Sequence, residues 1–88
     1  GGRIIEVDPY KVPRIIGKQG SMVTMIKDAT KCNITVGQNA LVWIDGEPMN
    51  ELLAIQAIRK IEAESHLSGL TEKIKEFLEN NGSKLGGK

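Results

Sequence analysis

The amino-acid sequence predicts an α+β domain, a three-stranded sheet covered on one face by helices. Three observations lead there. Short β-branched runs stand at Arg3–Val7, Asn33–Val36 and Leu41–Ile44, each of strand length and bounded by turn-forming residues. Apolar residues recur at helical spacing from Ser21 to Thr30, from Pro48 to about Ser65, and again from Leu70 onward. The resulting order is strand, helix, helix, strand, strand, helix, helix, with no internal repeat, and such an order packs its helices on one side of the sheet. A chain of 88 residues has room for a single core. It would bury roughly 60–65% of the surface its unfolded form exposes.

Each element has a local reason. Asp8-Pro9 stops the first strand. Pro13 suits the first turn of a helix, where its missing N–H goes unnoticed, and Gly17 is placed to end that helix after one turn. The next helix runs from Ser21, whose hydroxyl is expected to cap free backbone N–H groups, to Thr30. Its Met22, Val23, Met25, Ile26 and Ala29 span an arc of roughly 160°, wider than one packing stripe needs, so this helix is expected to face two things. Gly37-Gln38-Asn39 supplies a tight reversal between the second and third strands. Asp45-Gly46-Glu47-Pro48 breaks the third strand and starts a long helix. There Ala54, Ala57, Ile58 and Ile61 share a face, and the two alanines allow close approach to the sheet. Leu70, Ile74, Phe77 and Leu78 mark an appended amphipathic helix that is expected to stop at Asn80-Asn81-Gly82. The expected organisation is a domain over 3–66, the appended helix over 67–82 and a frayed tail over 83–88.

Charge and composition narrow the function classes. A formal net charge of +1 excludes a strongly basic nucleic-acid coat, so affinity for a polyanion must come from local placement. Residues 1–45 hold six basic against four acidic residues, and the excess gathers around Gly17 and Gly20. The lone Cys32 excludes an internal disulfide and offers no metal-ligand spacing, so it reads as a small buried hydrophobe. No run approaches the roughly 18 apolar residues of a membrane span, and no signal-peptide pattern opens the chain. A soluble, cytoplasmic protein with no membrane partner is expected. The chain begins Gly1-Gly2 without methionine, as a module excised from a longer protein or a cloning remnant would.

The stretch Val12–Ser21, V-P-R-I-I-G-K-Q-G-S, carries the functional signal. It is not a P-loop, which needs glycine where Val12 stands and Ser or Thr where Gln19 stands. Nor is it a dinucleotide fingerprint, which needs three glycines. What remains is a helix-turn-helix junction in which Gly17 and Gly20 leave the backbone open to a ligand. A helix start lies immediately behind, its positive dipole end suited to phosphate, and Lys18 adds a point charge.

The pattern Ile15–Ile26, I-I-G-K-Q-G-S-M-V-T-M-I, resembles the central motif of K-homology (KH) domains, an apolar pair before Gly-x-x-Gly with apolar residues following at fixed steps. Asn33-Ile34-Thr35-Val36 and Ile44-Asp45-Gly46 extend the resemblance, and the element order is that of the type I KH fold from about Arg3 to Ser65. Within that superfamily, V-D-P-Y-K-V-P-R-I-I-G-K-Q-G-S-M and V-G-Q-N-A-L-V-W-I most resemble the KH domain of the RNA-binding cap subunit of the archaeal exosome. Such relatives show Gly-x-Asn-Gly in the hairpin. Here the fourth position is Ala40, so the turn is expected to avoid a positive φ there.

The resemblance implies a single-stranded RNA partner, clamped over about four nucleotides, and exosome ring subunits as protein partners. It implies an OB-type barrel upstream, RNA degradation carried out by a phosphorolytic ring, and a guiding role for this domain. Gly17, Lys18, Gln19, Gly20 and Ser21 would contact the backbone. Arg14, Lys27 and Lys31 would add diffuse attraction, Asn33 and Thr35 would face bases from the strand, and Met22 and Met25 would line the groove. No cofactor, metal or small-molecule substrate is implied.

Nothing in the chain resembles a nucleophile beside a base, and the one histidine, His66, reads as a solvated side chain, so a binding module is expected rather than an enzyme. Trp43 alternates with Val42 and Ile44 and reads as core or interface packing rather than a base-stacking platform. A second reading stays open at this stage: a protein-docking piece of the same complex with weak RNA affinity, favoured by the near-neutral charge and the apolar face of the appended helix. A DNA-reading helix-turn-helix is weaker, because its recognition helix would offer only Lys27 and Lys31.

Overall fold

In the computed structural model, which describes residues 2–85 and the side chains as far as Asn81, the predicted elements follow in the predicted order. They are β1 (Arg3–Glu6), α1 (Val12–Ile16), α2 (Ser21–Thr30), β2 (Asn33–Val36), β3 (Leu41–Asp45), α3 (Pro48–Glu64) and α4 (Leu70–Leu85). Single 3₁₀ turns at Pro9–Lys11 and Lys18–Gly20 flank α1. Neither was foreseen; the Asp8 carboxylate caps the first by accepting from the Tyr10 N–H at 2.9 Å.

The sheet is antiparallel in the order β1-β3-β2. Register places Ile44 between Arg3 and Ile34, Trp43 between Ile4 and Thr35, and Val42 between Ile5 and Val36. Because side chains alternate along a strand, this register decides the two faces. Ile34, Val42 and Ile44 are buried beneath the helices, whereas Ile4, Trp43 and Thr35 form the outer row. Trp43, expected in the core or an interface, is 42% exposed on that outer face and takes no part in the core.

Ala54, Ala57, Ile58 and Ile61 are fully buried along α3, the face expected to cover the sheet. The two small residues matter because helix-to-sheet distance is set by side-chain bulk at the contact. Above α2 and α3 lies α4, which buries Ile74, Leu78 and Leu70 and half-buries Phe77. This explains the wide apolar arc of α2. Met22 and Ile26 are buried, Val23 and Met25 are half-buried, and the second neighbour is α4 of the same chain. Ala29, at the edge of the arc, is exposed.

Two local expectations are corrected. The helix does not stop at Asn80-Asn81-Gly82 but continues to Leu85. The Asn81 amide donates to the Phe77 carbonyl one turn back at 2.8 Å, and a glycine within a helix costs only about 1 kcal/mol, too little to end one. Of the expected tail, residues 83–85 therefore belong to α4, and residues 86–88 lie outside the described residues. In the hairpin, Ala40 adopts φ +65°. A three-residue loop, Gln38 to Ala40, must end on a left-handed residue to restore the pairing of Val36 with Val42, and the register prevails over the mild strain. Burial of the methyl, at 4% exposure, accompanies it.

Glu51 ties the layers together. Its buried carboxylate accepts from the Gly46 N–H at 2.8 Å, the Gly2 N–H at 3.0 Å and the Arg3 Nε at 3.1 Å. One side chain of α3 thus fixes the turn after β3 and the start of β1. The Gly46 hydrogen bond, aided by those from Gly2 and Arg3, holds the carboxyl below its ordinary range against the opposing effect of burial. Among the described residues no helix is long and apolar enough to cross a membrane.

A lowered folded pKa means stabilisation that is complete above the unfolded value of about 4.3 and is lost as pH falls through the folded value. Urea midpoints measured from pH 7 to pH 2 should accordingly fall in the acid range, and Glu51→Gln should lower the midpoint at pH 7 while flattening that acid dependence. Ile74→Ala, emptying a fully buried site under α4, should destabilise the domain by about 2–5 kcal/mol in the same assay. A change under 1 kcal/mol would show α4 to be a dispensable appendage.

Candidate nucleic-acid interface

The loop between α1 and α2 begins with a backbone geometry that only glycine takes readily. Gly17 sits at φ +78°, ψ 173°, and its N–H closes α1 by donating to the Pro13 carbonyl at 2.9 Å. A Cβ at Gly17 would lie 2.6 Å from both the backbone nitrogen and the Cβ of Met22. The missing side chain is therefore demanded by the chain's own first turn of α2. Gln19 and Gly20 follow at φ +57° and +79°, two left-handed residues in succession. At Gly20 a Cβ would meet nothing within 4 Å. Steric pressure comes from the inner glycine, and the outer one leaves the surface low and open.

The crest of the loop consequently faces solvent. Lys18, Gln19 and Ser21 are exposed and Gly20 is half-buried. Ser21 does not cap α2 as expected. Gly20 holds the cap position without a side-chain bond, and Ser21 is already helical, its N–H donating to the Lys18 carbonyl. The hydroxyl is left on the surface.

Two clefts border α2. A cleft of about 770 Å³ has Arg14, Gly17, Lys18 and Ser21 on one wall and, on the other, His66 and Ser68 from the connection between α3 and α4 with Thr71 from the first turn of α4. At the far end of α2, about 15 Å away by helix length, a second of about 560 Å³ gathers Lys27, Lys31 and Asn33 beside Asp28 and Cys32. Lys31 takes a left-handed turn at φ +59° as α2 ends. Cys32 is buried as expected, and burial pushes its thiol up.

The residues singled out in the sequence thus fall into three groups. Arg14, Gly17, Lys18 and Ser21 come together in the first cleft, with Gln19 and Gly20 on the crest above. Lys27, Lys31 and Asn33 come together in the second. Thr35 is separated from both, because its place in the register turns it to the outer face of the sheet beside Trp43. Met22 lies largely buried against Gly17 and lines the floor of the first cleft, and Met25 is half-buried. Sequence reasoning missed the wall formed by Ser68 and Thr71 and read His66 only as solvated. His66 is exposed, but it borders the cleft, some fifty residues in sequence from the loop it faces. No local pattern carries that information.

Charge pairing sharpens the picture. Among the described residues the ion pairs are Arg3–Glu51, Arg59–Glu62 and Lys60–Glu64. Arg14, Lys18, Lys27 and Lys31 enter none of them. A near-neutral chain therefore presents four cations outside these ion pairs along one helix and its approaches, with Asp28 beside Lys27 and Lys31. No cluster of three or more His, Cys, Asp or Glu side chains suited to a metal occurs among the described residues.

A β-α-α-β-β-α order, a sheet ordered β1-β3-β2 and an exposed Gly-x-x-Gly crest between the first two helices define a type I KH domain. Residues 2–65 match the KH domain family, and the chain belongs to it. It is 54% identical over 83 residues to the exosome complex component Rrp4 of Methanosarcina barkeri, covering 94% of this chain and 32% of that one. To the exosome complex component Rrp4 of Methanobrevibacter smithii it is 58% identical over 78 residues, covering 89% and 26%. The crystal structure of a protein described as an exosome complex RNA-binding protein superposes with a TM-score of 0.87 at 35% identity, over 97% of this chain and 49% of that one. The chain spans about a third or less of the length of these curated relatives.

The two glycines should respond differently to alanine. Gly17→Ala forces backbone to move and should cost several kcal/mol, visible as a large drop in thermal midpoint. Gly20→Ala meets open space and should cost about 1–2 kcal/mol, leaving a folded protein with native circular dichroism.

Proposed function

We propose that this domain binds single-stranded RNA through the Gly17–Gly20 loop, as the KH module of a non-catalytic cap subunit of an archaeal exosome. In this reading it guides RNA toward the phosphorolytic ring subunits, which do the cutting. The observation that carries the proposal is the exposed loop crest with Lys18 and Arg14 free of ion pairs beside it. A strand lying there would gain charge-assisted contacts from the cations and, farther along α2, from Lys27 and Lys31. Asn33 would meet bases at the far cleft, whereas Thr35 is placed to do so least well.

The similarity to Rrp4 supports the exosome setting, and a cytoplasmic location is part of the same proposal. The reading as a pure docking piece loses one of its motives. The apolar face of α4 that suggested a partner is spent inside the chain, with Ile74 and Leu78 at 0% and 2% exposure.

Titration of labelled single-stranded RNA into the protein at low and moderate salt tests the proposal. Binding should weaken as salt rises, because fewer counterions are gained by release. Lys18→Asp combined with Gln19→Asp alters two exposed side chains and should weaken binding about tenfold or more without loss of fold. A folded double variant with undiminished affinity would reject the loop's role.

A further inference from the structure

The loop borders a cleft of about 770 Å³, which separates Arg14 and Lys18 from the connection that follows α3 and the first turn of α4. The three side chains that matter on the far wall are Ser68, Thr71 and His66, all exposed. Deeper in, Ser65 is already committed, since its buried Oγ accepts from the Lys11 Nζ at 2.6 Å. That contact anchors the connection to the start of α1 and gives the far wall a fixed position. Glu72 is the single carboxylate on the lining.

An occupant of this cleft must carry negative charge for Arg14 and Lys18 and must accept hydrogen bonds from hydroxyls opposite. It must also be continuous with whatever lies on the loop, because Gly17, Lys18 and Ser21 belong to both surfaces. A polynucleotide backbone meets all three conditions. We infer that an RNA strand held on the Gly17–Gly20 loop continues into this cleft. There further phosphates lie between Arg14 and Lys18 on one wall and the Ser68 and Thr71 hydroxyls on the other. This rests on the RNA reading above and extends it: the α3–α4 connection becomes a second element of the binding surface, and the footprint exceeds the four nucleotides a Gly-x-x-Gly module clamps. Glu72 works against binding and sets a limit on affinity.

Two RNA lengths separate the loop from the cleft. One of about four nucleotides can be satisfied by the loop alone, and one of about twice that length reaches the connection. Ser68→Glu with Thr71→Glu puts two carboxylates on the far wall at exposed positions. It should weaken the longer RNA about tenfold, lower its salt slope by about one and leave the shorter RNA within about twofold. Glu72→Gln should strengthen the longer RNA about twofold to threefold, a gain that misfolding does not mimic. Equal effects on both lengths, or none on the longer one, would overturn the extended path while the loop's role stood. If instead the loop variant of the preceding section bound the short RNA normally, the RNA reading and this extension would fall together.

Discussion

Gly17 is where the helical layer and the loop are made compatible. Its φ, ψ pair and the 2.6 Å approach of Met22 mean that α1 can end and α2 begin with no side chain between them. Ile15 and Ile26, on either side of the junction, are fully buried because the two helices can meet this closely. With the inner side of the junction filled by Met22, Lys18, Gln19 and Gly20 have nowhere to go but outward. The same steric constraint that closes the core therefore projects the loop, and a protruding, side-chain-poor crest is what a sugar-phosphate strand requires.

Electrostatics then act on a surface that packing has already shaped. The chain is nearly neutral, yet three of its carboxylates are used away from the loop: Glu51 on the start of β1 and the turn after β3, Glu62 on Arg59, Glu64 on Lys60. Lys60 also lies over the Phe77 ring at 5.7 Å, which helps to seat α4. Structural ion pairs thus occupy the α3 side of the molecule, and the cations of α1 and α2 keep their charge for solvent. Segregation of paired from unpaired charge lets a +1 chain present a cationic surface.

The fourth helix links stability to the site. It shields α2 and α3 with Ile74 and Leu78, and the turn that delivers it, anchored by the Lys11–Ser65 contact, forms the far wall of the cleft. A segment whose apolar face looked available to a partner is instead an inner surface of the domain.

Much was legible because it depends on neighbours in the chain. The bounds of α2 and β2, the buried face of α3, the Gly-x-x-Gly motif and the burial of Cys32 follow from periodicity and turn chemistry within a few residues. What failed was non-local or balanced on small differences. For Trp43 only the core half of the expectation failed: the strand's alternation is clear, but which face turns inward is settled only by β1 and β2. The Ala40 conformation is imposed by hairpin register, and the course of α4 past Asn80-Asn81-Gly82 turns on a contest of about 1 kcal/mol. The amino-acid sequence by itself determined the elements, their order and the loop chemistry, since those arise from short-range sterics and hydrogen bonding. Only the tertiary structure decided that Thr35 stands apart from the loop and that Ser68 and Thr71 border the cleft beside it. Sheet register and helix packing bring together residues that share no local interaction.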